Sequence, residues 1–148
     1  MKVPLKIMIF MLFLYRKVIL TKDNLAKRNW HGCKKWYFCD QDETIQHLFI
    51  TCPLARMVWR VVFLAFNLIP PTNITNMFGN WSRGVNKKEN VQIRVGVCAL
   101  LWAIWNTHND FIFNRTQAAS FFAGYTDGCS LDPYVVLSTT NGQARRFG

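Results

Sequence analysis

Between Cys39 and Pro53 the chain reads CDQDETIQHLFITCP, and the spacing inside that stretch leaves few local structures open. Cys39, His47 and Cys52 are residue types that zinc takes as ligands, four of them making a structural tetrahedral site. Ile45, His47, Leu48 and Phe49 read as a helix. On an ideal α-helix five residues turn through about 500°, so His47 and Cys52 would point about 140° apart. They converge only where the helix unwinds before Cys52. Pro53 supplies the reason, because the residue before a proline is disfavoured in the α conformation. A new helix is then expected to start at Pro53, a residue well suited to a first helical turn.

A fourth ligand is not obvious. Structural sites usually draw their ligands from two close pairs, the first on a tight turn as Cys-x2-Cys. At that spacing the partner of Cys39 is Trp36. Cys33 offers a wider Cys-x5-Cys pair, His31, Asp40 and Asp42 lie within reach along the chain, and water completes the alternative three-ligand arrangement. The competing reading makes Cys39 and Cys52 buried thiols beside a packed Trp36, since free cysteine is a good small hydrophobe. Three of the five cysteines cluster here with His31 and His47, which in a reducing compartment points to metal more readily than to disulfides.

The rest of the chain reads as mainly α. Residues 4–17 carry no breaker after Pro4, and Thr21 is placed to cap a short helix with Asp23 near its positive end, Lys22, Lys27 and Arg28 staying wet. From Pro53, apolar residues recur at three- and four-residue steps as far as Leu68, and Trp59, Phe63 and Phe66 widen the stripe until the helix is expected in the interior. A polar, Pro- and Gly-containing connection follows, the best candidate for a mobile loop. A long helix is expected from about Lys88 to Phe113, its apolar face made by Val91, Val95, Cys98, Leu101, Trp102 and Trp105. The fold class is therefore a small, mainly helical domain with a zinc-knuckle insertion and an irregular C-terminal tail. By residue number, 1–68 form the zinc-binding-type domain with its knuckle at 33–53, 69–116 the loop and a long helix packing on it, and 117–148 an irregular or disordered tail.

Eighteen Lys and Arg against eight Asp and Glu give a net charge of +10. Such an excess favours phosphate-bearing partners or an anionic membrane surface. The stretch KRNWHGCKKWYF interleaves Lys27, Arg28, Lys34 and Lys35 with Trp30, Trp36 and Tyr37. Cations neutralise phosphate and aromatic faces stack on unpaired bases, so this stretch is the candidate surface for RNA or single-stranded DNA. Trp30 and Trp36 also suit a hydrophobic core whose rim the lysines solvate. No catalytic constellation emerges: there is no adjacent aspartate pair and no Gly-rich phosphate loop. The tail, with Asp127, is too short to gather the carboxylates of a nuclease domain. Lys2 and Lys6 precede an apolar run that imitates a secretory signal, but no A-x-A-like cleavage site follows, and the run is too short to span a bilayer. An intracellular location, cytoplasmic or nuclear, with no membrane partner, is the expectation.

In order along the chain, Pro4, Lys6, Ile7, Thr21, Asp23, Leu25, Arg28, Cys39, Glu43, Thr44, His47, Leu48, Phe49, Cys52 and Trp59 match the landmarks of one known module. The pattern resembles the reverse-transcriptase zinc-binding domain of plant-type, non-LTR (LINE-like) retrotransposon polyproteins, over residues 2 to about 60. The resemblance implies zinc ligation by Cys39, His47 and Cys52, with the family's first cysteine falling on Trp36; Cys33 is the candidate fourth ligand offered by the residues themselves. It also implies a non-catalytic role in holding nucleic acid, and association with the reverse-transcriptase domain of a parent polyprotein. A metal-free helical protein-interaction domain, or a remnant without function, is the alternative.

Overall fold

The computed structural model describes residues 2–36 and 38–121, with side chains as far as residue 112. Tyr37 and all of the expected tail beyond Phe121 lie outside the described residues. Among the described residues five α-helices and one π-helical turn follow in order: α1 (Leu5–Tyr15), α2 (Lys22–Ala26), the π-turn (His47–Thr51), α3 (Pro53–Phe66), α4 (Ile74–Phe78) and α5 (Lys87–Phe121). Each boundary has a local cause. Pro4 leads α1, its carbonyl accepting from the Ile7 and Met8 amides. At the other end Lys17 takes a left-handed conformation, so that the Val18 amide reaches back to the Phe13 carbonyl and closes the helix. The Asn73 side chain accepts from the Asn76 amide at 2.7 Å to cap α4, and the Asn86 side chain accepts from Lys88 at the start of α5. Among the described residues no helix is long and apolar enough to cross a membrane.

The described residues group into two compact units that interleave along the chain. The first takes the residues up to Ile19 together with Thr44–Ile104. Its core joins Phe10 and Leu14 of α1, Leu48 and Phe49 of the π-turn, Ala55, Trp59 and Val62 of α3, and Ile93, Val97, Leu101 and Ile104 of α5, all buried. The Phe10 ring lies 6.0 Å from Phe49 and 5.2 Å from Trp102. Trp59 donates its indole N–H to the Phe49 carbonyl at 2.8 Å and meets Trp81 edge-on.

Four expectations change. Leu101 and Trp105 of the expected α5 face are buried, but the buried stripe also takes Ile93, Val97 and Ile104 and leaves Val91 exposed; residues 95–105 are apolar on every side, so periodicity alone does not choose the face there. α3 is not an interior helix, since Met57, Val61 and Leu64 on its outer side are 60%, 58% and 75% exposed. The connection after α3 is tied down rather than open: it holds α4, Gln46 grips it by bonds to Thr72 and Ile74, and Trp81 donates to the Ile69 carbonyl. The long helix also continues past Thr116 to Phe121.

The second unit joins Leu20–Glu43 to the chain from Trp105 onward. Its centre is aromatic and ionic. His108 is stacked between two indoles, with centroids 4.8 Å from Trp36 and 4.9 Å from Trp105. Glu43, 1% exposed, accepts from the Lys22 amide at 3.1 Å, and its carboxylate stands 3.8 Å from Lys22 Nζ and 3.0 Å from His108 Nε2. Lys22, expected in water, is 2% exposed because Glu43 and the Lys35 carbonyl receive its ammonium. Thr21 precedes α2, but its hydroxyl engages the Asp23 carboxylate rather than a backbone amide. A carboxylate buried beside a lysine and a histidine stabilises only as a set: removing it strands the others in low dielectric. Glu43→Ala is therefore expected to lower the unfolding free energy by about 3–5 kcal/mol in urea titrations. A loss within about 0.5 kcal/mol, the size of a surface substitution, would contradict that role.

Candidate metal centre

Thr44 begins the segment that carries the site. Its hydroxyl accepts from the His47 amide at 3.0 Å and its carbonyl from Leu48 at 2.9 Å, which caps the helical turn and fixes where His47 falls. From His47 the helix widens. The Cys52 amide donates to the His47 carbonyl at 2.7 Å, an i+5 to i bond instead of the α-helical i+4 to i. In this wider turn residues five apart come nearly above one another. His47 and Cys52 are thus brought together by expansion of the helix rather than by its unwinding. The chain leaves the helix at Cys52 itself, extended at ψ 144 ahead of Pro53, as the proline requires.

Cys39 arrives on a loop. Lys35 and Asp42 pair as an antiparallel bridge, the Trp36 amide donates to the Gln41 carbonyl at 2.7 Å, and the Glu43 amide donates to Lys34 at 2.8 Å. Asp40, directly after Cys39, turns the chain in the left-handed region at φ 53, which aspartate tolerates better than most residues. The ligand atoms of Cys39, His47 and Cys52 all lie within 4.8 Å of one another. Zinc–sulfur bonds of about 2.3 Å in a tetrahedron place ligand atoms somewhat under 4 Å apart, so the trio needs only about an ångström of side-chain adjustment. Two thiols and an imidazole also have the right chemistry for zinc. His47 Nδ1 lies 3.2 Å from the Thr51 hydroxyl, the kind of contact that fixes the tautomer of a metal-bound histidine. The site's residues thus fit the ion: Cys39, His47 and Cys52 would hold it, and it would supply a cross-link between a loop and a helical turn.

The structure does not bring Cys33 to this group: its sulfur is engaged in a disulfide. His31, Asp40 and Asp42 are exposed and also stand outside it. Burial pushes the Cys98 thiol above its ordinary value, against smaller opposing effects of a backbone hydrogen bond and Arg94, so at neutral pH it stays protonated and away from metal chemistry. Trp36 is 1% exposed and packs on Phe38, His108 and Phe111, which makes it a core residue and removes it from any stacking surface.

Of the residues expected to meet nucleic acid, Lys27, Arg28, Lys34 and Lys35 are exposed and Trp30 is half-buried. The Trp30 indole lies so close over Gly32 that a Cβ there would sit 1.9 Å from the ring, so only glycine permits this fold of the side chain. Lys27 is partly occupied, by Asp23 at 3.9 Å and the Asn24 side chain at 2.9 Å. His108 escaped the sequence reading because a lone histidine late in an apolar helix carries no local signal. Its role depends on contacts with Glu43 and Trp36, far away along the chain.

Since the resemblance sets Trp36 at the family's first cysteine, Trp36→Cys tests both roles of that position. Without metal, the variant should lose about 3–5 kcal/mol of stability through the emptied core. With zinc, its affinity in chelator competition should rise at least about tenfold, as a fourth ligand completes the set. Unchanged affinity would show that position 36 does not reach the site.

Residues 1–59 match the family model described as zinc-binding in reverse transcriptase. No curated protein and no solved structure matches the chain. The matched stretch contains all three members of the Cys39, His47 and Cys52 group, the capping Thr44, the π-turn and the anchoring Glu43. The match supports a reverse-transcriptase zinc-binding domain over residues 1–59.

Proposed function

We propose that this chain is a non-catalytic, zinc-braced module that holds RNA or single-stranded DNA, derived from the polyprotein of a LINE-like retrotransposon and working inside the cell beside its reverse-transcriptase domain. The observation that carries the reading is the state of the basic segment. Arg28, Lys34 and Lys35 are exposed and have no acidic partner among the described residues, while the half-buried Trp30 lies between them in sequence. Unpaired cations gain most from phosphate, because they release its condensed counterions without first breaking an ion pair. A part-exposed indole adds a face on which one base can stack. Trp36 contributes only indirectly, by anchoring in the core the loop that carries Lys34 and Lys35. Zinc at Cys39, His47 and Cys52 would brace the other side of that loop, so metal and nucleic-acid affinity should rise together.

Binding of a labelled single-stranded oligonucleotide should weaken steeply with salt, with a log–log slope of about −0.7 per phosphate contact. Replacing Arg28, Lys34 and Lys35 together by Gln should reduce the magnitude of that slope by about 2 and weaken low-salt affinity by more than about tenfold. Affinity that ignores salt, or that survives the triple substitution, would contradict the proposal.

A further inference from the structure

The outer side of α3 presents aliphatic side chains to solvent, and beside it runs a groove of about 290 Å³ walled by Ile50, Phe63, Ile69 and Pro70, with Arg56 and Arg60 along its edge. The groove belongs wholly to the first unit and shares no residue with the basic segment or the metal centre. Ile69 is 77% exposed and Leu64 75%, although apolar side chains of this size gain by being covered. A contiguous exposed apolar surface of this kind marks a place where something binds. Arg56 and Arg60 sit one helical turn apart, are exposed, and have no acidic partner among the described residues.

We propose that this groove receives an acidic amphipathic helix from another protein. Its apolar side chains, repeating at three- and four-residue steps, enter between Phe63 and Ile69, and carboxylates one turn apart on its flank pair with Arg56 and Arg60. Charge selects this occupant over a second copy of the chain. The protein carries +10, the charges that line the groove among the described residues are arginines, and a two-fold pairing through this face would set like charges together. Side-chain chemistry selects it over nucleic acid. Of the groove's exposed walls Phe63 alone offers a π-face to a base, Ile69 and Pro70 are aliphatic, as are Met57, Val61 and Leu64 on the outer side of α3, and Trp59 is 2% exposed with its indole N–H already given to Phe49.

The test uses the full chain and three labelled helical peptides that share leucines at the a and d heptad positions and differ only on the flank, which carries Glu, Gln or Lys. In fluorescence anisotropy the Glu peptide should bind best, with the Gln peptide about three- to tenfold weaker, the scale of two exposed ion pairs. Arg56→Glu with Arg60→Glu should reverse the order so that the Lys peptide binds best, a gain that a misfolded variant does not give. Ile69→Asp should weaken all three. Absence of binding by the Glu peptide, equal binding of the Glu and Gln peptides, or an order unaffected by the double arginine reversal would overturn the proposal. Two other results would also overturn it: an oligouridylate whose binding is lost in Ile69→Asp would give the groove to nucleic acid, and self-association lost in the same variant would give it to a second copy.

Discussion

One backbone hydrogen bond, from the Cys52 amide to the His47 carbonyl, sets the geometry on which the metal centre depends. In a regular α-helix that amide would bond to Leu48 and the two ligands would diverge. Shifting the bond by one residue widens the turn and brings both ligands to one side. Two residues hold the shift in place. Thr44 fixes the start of the turn through its hydroxyl, and Pro53 prevents the helix from running through Cys52. The π-turn also packs Leu48 and Phe49 into the core of the first unit, so its irregular backbone is supported by burial as well as by capping. A turn of this kind is costly in isolation, and tertiary contacts on one side and a ligand set on the other are what retain it.

Glu43 plays the corresponding part in the second unit. Its backbone takes the carbonyl of Lys34 and gives its own to Asp23, while its carboxylate gathers Lys22 and His108. That buried set adjoins the stacked rings of Trp36, His108 and Trp105. Trp36, where the resemblance sets the family's first cysteine, is integrated into this core.

Much of this was legible in the sequence, and the exceptions have physical causes. The helical class, Pro4, Thr21 and Pro53 as boundaries, and the trio Cys39, His47 and Cys52 all follow from local signals: capping residues, proline sterics and ligand spacing. The π-turn itself was not legible. Spacing showed that an α-helix could not serve, but not whether the chain would unwind or widen. The buried state of Lys22 and the role of His108 depend on Glu43 and Trp36 meeting them across long sequence separations, which no local pattern encodes. The outward face of α3 was misjudged for another reason. Apolar residues all round a helix normally mean burial, whereas here Met57, Val61 and Leu64 remain exposed and suit a surface made to be covered by a partner.

The first unit thus carries an apolar groove edged by arginines, and the second a basic segment around a half-exposed indole, and both contribute residues that the zinc-binding family model covers. Everything proposed for the basic segment presumes that its loop is braced by metal at Cys39, His47 and Cys52. X-ray absorption at the zinc edge of the reduced, zinc-loaded protein tests that most directly. The expected first shell has two sulfurs and one imidazole nitrogen, completed by one light atom such as a water oxygen. Three sulfurs would show that another cysteine has joined the site, and failure to retain stoichiometric zinc would show that the trio does not hold the ion at all.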